Sequence, residues 1–130
     1  TDEALDLWDR WQESSEFVVA PGLFRAEVTN VMHQRVRRGQ LASRDAAEIV
    51  DTLLSIVAVS EPEGLYARAF ALAGLLGLSS TYDALYLALA EAEECDMWTA
   101  DLRFARAAQD RFPRVRSIGR RGWSYPSHSW

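Results

Sequence analysis

Apolar residues recur along this chain with two different spacings, and the way these spacings alternate predicts the architecture. The longer stretches carry an apolar residue at every third or fourth position, as amphipathic helices do. Short and nearly continuous apolar runs lie between them and are typical of buried strands. The predicted strands are EFVVA, SIVAV, DMWTA and RVRSI, and the predicted helices cover residues 2–12, 23–38, 44–54, 65–76, 82–94 and 101–112.

Strands that alternate with helices of this length are typical of α/β proteins with a mostly parallel sheet covered on both faces. The sequence therefore predicts a three-layer α/β/α fold in a single domain over residues 4–118, followed by a tail over residues 119–130. Ser43 is a candidate N-cap for one helix, and Ser80 or Thr81 for another.

Composition agrees with one ordinary domain of 130 residues, of which 48% are hydrophobic. Since no apolar run reaches the roughly 18 residues that cross a bilayer, we expect no membrane span. The single cysteine, Cys95, cannot form an internal disulfide, which is typical of a reducing, cytoplasmic environment. Together with only two histidines, it offers no zinc-ligand spacing.

The net charge of −5 is distributed unevenly along the chain. Residues 1–96 carry 17 acidic residues and 7 arginines, whereas residues 97–130 carry 2 acidic residues and 7 arginines. Arginine suits phosphate because its planar group donates several hydrogen bonds at once, which makes Arg103 and Arg106 candidate contacts to a nucleic acid. An all-arginine composition can equally reflect the base composition of the genome.

Glu27 combines an acidic side chain with an apolar neighbourhood. It follows Leu23 and Phe24 by one helical turn and precedes Val31 by another, so it lies on or beside the apolar stripe of its helix. A carboxylate buried there needs an arginine, a metal ion or a water-filled cleft. At the edge of the stripe it would instead reach solvent.

Asp83 and Asp101 each stand at the start of a predicted helix. For Asp83 the ordinary explanation is a favourable interaction with the positive end of the helix dipole, and for Asp101 it is an N-cap. Asp101 also directly follows a predicted strand, and open parallel sheets bind ligands outside the carboxyl ends of their strands. Acids that meet in one crevice repel one another unless a cation such as Mg²⁺ or Mn²⁺ neutralises them.

The segments APGLFRAEVTNVM and GLSSTYDALYLALAEAEECDMWTADLRF resemble PIN-domain ribonucleases, in particular the VapC-type toxins. The resemblance covers roughly residues 4–118. It implies that Glu27, Asp83 and Asp101 coordinate Mg²⁺ or Mn²⁺. It also implies that Thr99 orients a ligand or a water, and that Asn30 supports the site from one helical turn after Glu27.

The chain departs from the family pattern at its start. Such proteins begin with a central strand that carries a fourth acidic residue in a V-D-x-S/T motif, whereas this sequence begins with TDEALDLWDRW. Three explanations stay open, namely residues that precede the sequence, a strand supplied by another chain, or a degenerate member of the family.

The resemblance implies a metal-dependent endoribonuclease that acts as the toxin of a toxin–antitoxin pair, with an antitoxin protein and a second copy of the chain as expected partners. An alternative is a catalytically inactive PIN-like module that binds a protein or a nucleic acid. A third hypothesis is a structural α/β domain whose acidic residues are only helix caps.

Overall fold

The computed structural model describes residues 18–118, and these residues form five helices and four short strands. Contacts divide the described residues into two compact units, 18–61 and 62–118. Each unit contains one pair of strands, and both pairs are parallel. The α/β class with parallel strands is confirmed, whereas the single domain over residues 4–118 stays a prediction. The predicted helix over residues 2–12 and the predicted tail lie outside the described residues.

The first unit begins and ends with a strand and has two helices between them. Its elements are β1 (Val19–Ala20), α1 (Leu23–Arg37), α2 (Ser43–Ile56) and β2 (Ala58–Val59). Val19 is paired with Ala58 and Ala20 with Val59. The helices α1 and α2 pack against each other.

A short turn connects β1 to α1. The Pro21 carbonyl accepts a hydrogen bond from the backbone N–H of Phe24 at 3.0 Å, so the first helical turn starts directly after the proline. The N–H of Gly22 donates to Oε2 of Glu61 at 3.0 Å. Because Glu61 follows β2, this bond ties the start of α1 to the far end of the unit.

The second unit contains three helices and the other pair of strands. Its elements are α3 (Leu65–Leu76), α4 (Tyr82–Glu93), β3 (Met97–Thr99), α5 (Leu102–Ala108) and β4 (Val115–Ser117). The helices α3 and α4 pack against each other, and both bury small residues, among them Ala69 and Ala88. The pairing of Met97 with Val115 and of Thr99 with Ser117 fixes the register of β3 and β4.

The structure corrects the predicted start and end of α2. Ser43 lies inside the helix, and Ala42 precedes it, because the Ala42 carbonyl accepts the first helical hydrogen bond from the N–H of Ala46 at 3.0 Å. The strand predicted for SIVAV is confirmed only for its last two residues, Ala58–Val59, because the helix continues through Ile56. A short apolar run fits a helix end as well as a strand, so periodicity alone does not separate the two.

The last predicted helix is also shorter than expected. It ends at Ala108, and the chain then turns so that the N–H of Phe112 donates to the Ala108 carbonyl at 2.8 Å. By contrast, α3 has the predicted bounds because a glycine with positive φ flanks each end, Gly64 at 81° and Gly77 at 64°. None of the helices in residues 18–118 has the length and apolar character that would let it cross a membrane.

Candidate metal centre

Hydrogen bonds on both sides fix the end of β3. Thr99 is buried, with 8% of its surface exposed, and its Oγ1 accepts a hydrogen bond from the backbone N–H of Asp101 at 3.0 Å. The Thr99 carbonyl accepts a second bond from the N–H of Ile118 at 2.8 Å. Since a buried hydroxyl needs a partner, Thr99 determines the path of the chain into Asp101.

Asp101 is the N-cap of α5, as its position after a strand predicted. Its Oδ1 accepts a hydrogen bond from the backbone N–H of Phe104 at 3.1 Å, and its own backbone is extended. The residue is exposed and has no ion-pair partner among residues 18–118. A carboxylate has two oxygens with several lone pairs, so this cap leaves Oδ2 able to accept a ligand.

Asp83 lies in the first turn of α4 and is half-buried. Thr81 occupies the N-cap position, but its hydroxyl makes no capping bond to the described residues of the helix, so the predicted hydroxyl cap is wrong for Thr81. The buried Ala84 and Leu85 follow Asp83 directly and anchor this turn to the core. Both explanations of Asp83, a dipole partner and a metal ligand, agree with this position.

Glu27 and Asn30 belong to the first unit and are exposed on α1. The residue next to Glu27, Val28, is buried with 8% of its surface exposed, so Glu27 lies beside the buried face of the helix. Because solvent reaches its carboxylate, desolvation does not require a metal ion here. The assignment of Glu27 as a ligand therefore depends on the family pattern.

The predicted metal ligands are distributed over both units of the chain. Glu27 lies in the first unit, whereas Asp83 and Asp101 lie in the second. Among the described residues of either unit, no three His, Cys, Asp or Glu side chains are close enough to hold a metal ion. The three-carboxylate site stays a prediction.

Sequence reasoning missed an ion pair with a buried carboxylate at the opposite end of β3. The side chain of Asp96 is 2% exposed, and its Oδ2 accepts a hydrogen bond from Nε of Arg116 at 3.0 Å. In the strand register Arg116 lies opposite Trp98, two residues after Asp96, and this brings Arg116 and Asp96 together. The only sequence signal was an arginine inside the strand RVRSI, at a position where charged residues are uncommon. This pair is structural, since each charge satisfies the other.

The candidate nucleic-acid contacts Arg103 and Arg106 are exposed on α5, directly after Asp101. The lone cysteine lies elsewhere, in a cleft of about 530 Å³ beside the C-terminal end of α4. Burial, followed by the nearby charges of Glu93 and Asp96, raises the pKa of the Cys95 thiol. A thiol with a raised pKa stays protonated and is a poor nucleophile or metal ligand.

The parallel strands and the Thr99–Asp101 turn agree with a known class of α/β proteins. The family model of the PIN domain matches residues 1–110, and the chain belongs to this family. Two similar proteins are the VapC ribonuclease Mb0985 of Mycobacterium bovis (strain ATCC BAA-935 / AF2122/97) and ribonuclease VapC9 of Mycobacterium tuberculosis (strain ATCC 25618 / H37Rv). Each is 31% identical to this chain over 101 residues, which cover 77% of this chain and 77% of the relative.

Proposed function

We propose that this protein is a metal-dependent endoribonuclease of the VapC type, which hydrolyses phosphodiester bonds in RNA. The observation that carries the proposal is the turn from Thr99 to Asp101. It presents a carboxylate at the carboxyl end of a parallel strand, where α/β proteins bind their ligands. One hydrogen bond from the N–H of Phe104 holds the carboxylate itself, and the bond from the N–H of Asp101 to Thr99 Oγ1 holds the backbone of the residue. Membership of the PIN domain family and the similarity to named ribonucleases support the same activity.

The donor set suits a hard divalent cation. Glu27, Asp83 and Asp101 would hold Mg²⁺ or Mn²⁺, because carboxylate oxygens are the ligands these ions prefer and each of the three residues is exposed or half-buried. When bound, such an ion supplies an activated water and a counter-charge for the phosphate. Thr99 positions Asp101 through the backbone, and Asn30 lies one helical turn from Glu27 on α1.

The short connection between α4 and β3 supports the pairing of Asp83 with Asp101. The helix ends at Glu93, and the left-handed backbone of the next residue, Glu94 (φ 53°), lets the N–H of Cys95 donate back to the Ala90 carbonyl at 3.0 Å. Such a motif reverses the chain within three residues. A helix that turns back onto the following strand is antiparallel to it. We therefore expect the start of α4 and the end of β3 to lie at the same edge of the sheet, at the carboxyl ends of the strands.

The partners of this activity are part of the proposal. The substrate would be RNA, with the exposed Arg103 and Arg106 next to its backbone. A small antitoxin protein would cover the proposed metal ligands, as expected for a toxin–antitoxin pair. A homodimer is supported by α3, whose exposed Tyr66 and Phe70 follow one another by one helical turn, with 59% and 77% of their surfaces exposed.

Cleavage of a labelled structured RNA in Mn²⁺ tests this function with the Asp101→Asn variant. Asparagine caps helices as well as aspartate does, so the substitution removes the charge and keeps the hydrogen bond to Phe104. We expect activity to fall by about 100-fold or more, because a lost metal ligand removes several kcal/mol of transition-state stabilisation. EDTA should abolish cleavage by the unmodified chain.

Asp110→Asn is the matched control, since it removes the same charge from an exposed residue after α5. This control should keep full activity. An Asp101→Asn variant that cleaves as fast as the Asp110→Asn variant would contradict the proposal, and so would cleavage that continues in EDTA.

A further inference from the structure

A polar cleft of about 440 Å³ lies against the C-terminal half of α1, away from the residues discussed so far except Asn30. It is lined by Asn30, Val31, Gln34, Arg35, Arg38 and Gln40. Among the described residues no acidic side chain lines it. The cleft therefore presents two positive charges, three neutral amides and one apolar side chain.

The end of α1 builds one wall of this cleft. Gly39 adopts a positive φ of 71°, its N–H donates to the Val36 carbonyl at 3.0 Å, and the N–H of Gln40 donates to the Arg35 carbonyl at 2.9 Å. These two bonds form a Schellman motif, which folds the chain back over the last helical turn. As a result, Gln40 lies beside Arg35 although it is outside the helix.

The same motif weakens the negative end of the helix dipole, which would otherwise oppose an anion in this cleft. The C-terminal end of a helix carries partial negative charge and disfavours anions by roughly 0.3–1 kcal/mol. Here the carbonyls of Gln34, Arg35 and Val36 already accept hydrogen bonds from the backbone N–H groups of Arg38, Gln40 and Gly39. Two full guanidinium charges then outweigh what remains of the dipole.

The two arginines of the cleft differ from the arginines that stabilise the fold. Arg68 is bound to Glu91 and Arg116 to Asp96, whereas neither Arg35 nor Arg38 forms an ion pair with any residue that the structure describes. Nη2 of Arg38 donates to Oε1 of Gln34 at 3.3 Å, which orients the guanidinium. The helix dipole explains cations at this end of α1, but it does not explain the amides that surround them.

The cleft lies on the same face of α1 as the proposed metal ligand. Residues 27, 31, 34 and 38 follow one another at intervals of three or four and so share one side of the helix. At 1.5 Å per residue, Arg35 and Arg38 lie about 12 and 16 Å along the axis from Glu27. A strand of nucleic acid that passes Glu27 along this face would reach the cleft within a few nucleotides.

We propose that this cleft binds the phosphodiester backbone of single-stranded RNA, with Arg35 and Arg38 as phosphate contacts and the amides of Asn30, Gln34 and Gln40 as neutral partners. Val31, with 47% of its surface exposed, offers an apolar contact for a ribose or a base. The inference rests on the proposed ribonuclease function and adds to it a substrate contact remote from the reacting phosphate.

The test is RNA binding in EDTA, where no cleavage occurs, measured by fluorescence anisotropy with a labelled single-stranded RNA at several salt concentrations. The double variant Arg35→Gln/Arg38→Gln is compared with Arg37→Gln/Arg44→Gln, which removes the same charge from exposed arginines of the same unit that do not line the cleft. Loss of two phosphate contacts should reduce the slope of log affinity against log salt by about 1.4. It should also weaken binding by about tenfold at low salt, and in cleavage assays the loss should appear mainly in KM.

Equal salt slopes for the two double variants would overturn the inference, even with cleavage intact. Equal slopes are expected if the true occupant of the cleft is an acidic protein segment. The inference would also be overturned if the unmodified chain bound RNA no better than the Arg35→Gln/Arg38→Gln variant. The proposed function fails separately. A chain that shows the arginine-dependent slope but no Mn²⁺-dependent cleavage would keep the cleft as an RNA site and lose the nuclease assignment.

Discussion

Two aspartates at opposite ends of β3 show how the same side chain serves different purposes. Asp96 precedes the strand, is 2% exposed and is bound to Arg116. Asp101 follows the strand, is exposed, and its carboxylate is bound by a backbone N–H group of α5. Five positions separate the two along the sequence.

The difference lies in what neutralises each charge. Burial of a carboxylate is costly unless a cation accompanies it, and the guanidinium of Arg116 meets that need permanently. At Asp101 the surroundings fix the position of the carboxylate without supplying a positive charge from residues 18–118. A held but uncompensated carboxylate is suited to a cation that is exchanged, and a compensated one is suited to stability.

Removing the permanent partner should have the largest effect on stability. Arg116→Ala leaves Asp96 buried without its cation, a change that costs about 3–5 kcal/mol when both partners are fully buried. Since 38% of the Arg116 side chain is exposed, water can replace part of the interaction. We therefore expect a loss of about 2 kcal/mol in the free energy of unfolding, measured by urea denaturation.

Arg114→Ala is the control for this experiment, because it removes the same charge from an exposed position two residues earlier. It should change the urea midpoint little. Equal midpoints for Arg114→Ala and Arg116→Ala would show that the ion pair contributes nothing measurable, and the contrast between Asp96 and Asp101 would lose its energetic basis.

Substitution of Asp101 should lower the free energy of unfolding less than Arg116→Ala does, and by an amount that depends on the replacing residue. Asp101→Ala removes the N-cap of α5 and should lower the free energy of unfolding by about 1 kcal/mol, whereas Asp101→Asn should be neutral within a few tenths. Thermal and urea unfolding of both variants measure this difference. If Asp101→Asn destabilised the protein as much as Asp101→Ala, its loss of activity could no longer be attributed to the metal site.

The features that the sequence predicted well depend on neighbouring residues. Asp101 was expected to cap a helix because it follows a strand and precedes an amphipathic segment, and the predicted helix 23–38 ends within one residue of the observed end of α1. The bounds of α3 were also predicted, because Gly77 ends the apolar periodicity there. Each of these signals is complete within about five residues of chain.

The features that were missed depend on contacts between distant residues. The pairing of Asp96 with Arg116 requires the register of β3 against β4, which no local pattern specifies. Whether Glu27 is buried or exposed was left open, because an apolar stripe alone does not decide it, and the structure shows the residue exposed. The cleft at the end of α1 needed the Schellman motif that brings Gln40 beside Arg35. Local chemistry is visible in a sequence, whereas compensation of charge is not.

A third acidic residue, Glu91, lies between the two extremes and gives the smallest expected effect. Its Oε1 and Oε2 accept hydrogen bonds from Nε and Nη2 of Arg68 at 2.7 and 2.9 Å, with 33% of the Glu91 side chain and 49% of the Arg68 side chain exposed. The hydrogen bond from Arg68 lowers the pKa of Glu91, and the pKa of Arg68 is raised in turn. Because solvent screens an exposed pair, Glu91→Gln should cost only about 0.5 kcal/mol at neutral pH.

The pH dependence of that cost separates an ion pair from simple packing. A carboxylate with a lowered folded-state pKa stabilises the protein above its ordinary value of 4.5, and the contribution is lost as the pH falls through the folded-state pKa. The stability difference between the unmodified chain and Glu91→Gln should therefore be present at pH 7 and disappear in acid, with Glu48→Gln as an exposed helical control. A stability difference that persisted below the folded-state pKa would mean that Glu91, on α4, acts by packing against α3. Charge compensation would then not explain the contribution of Glu91.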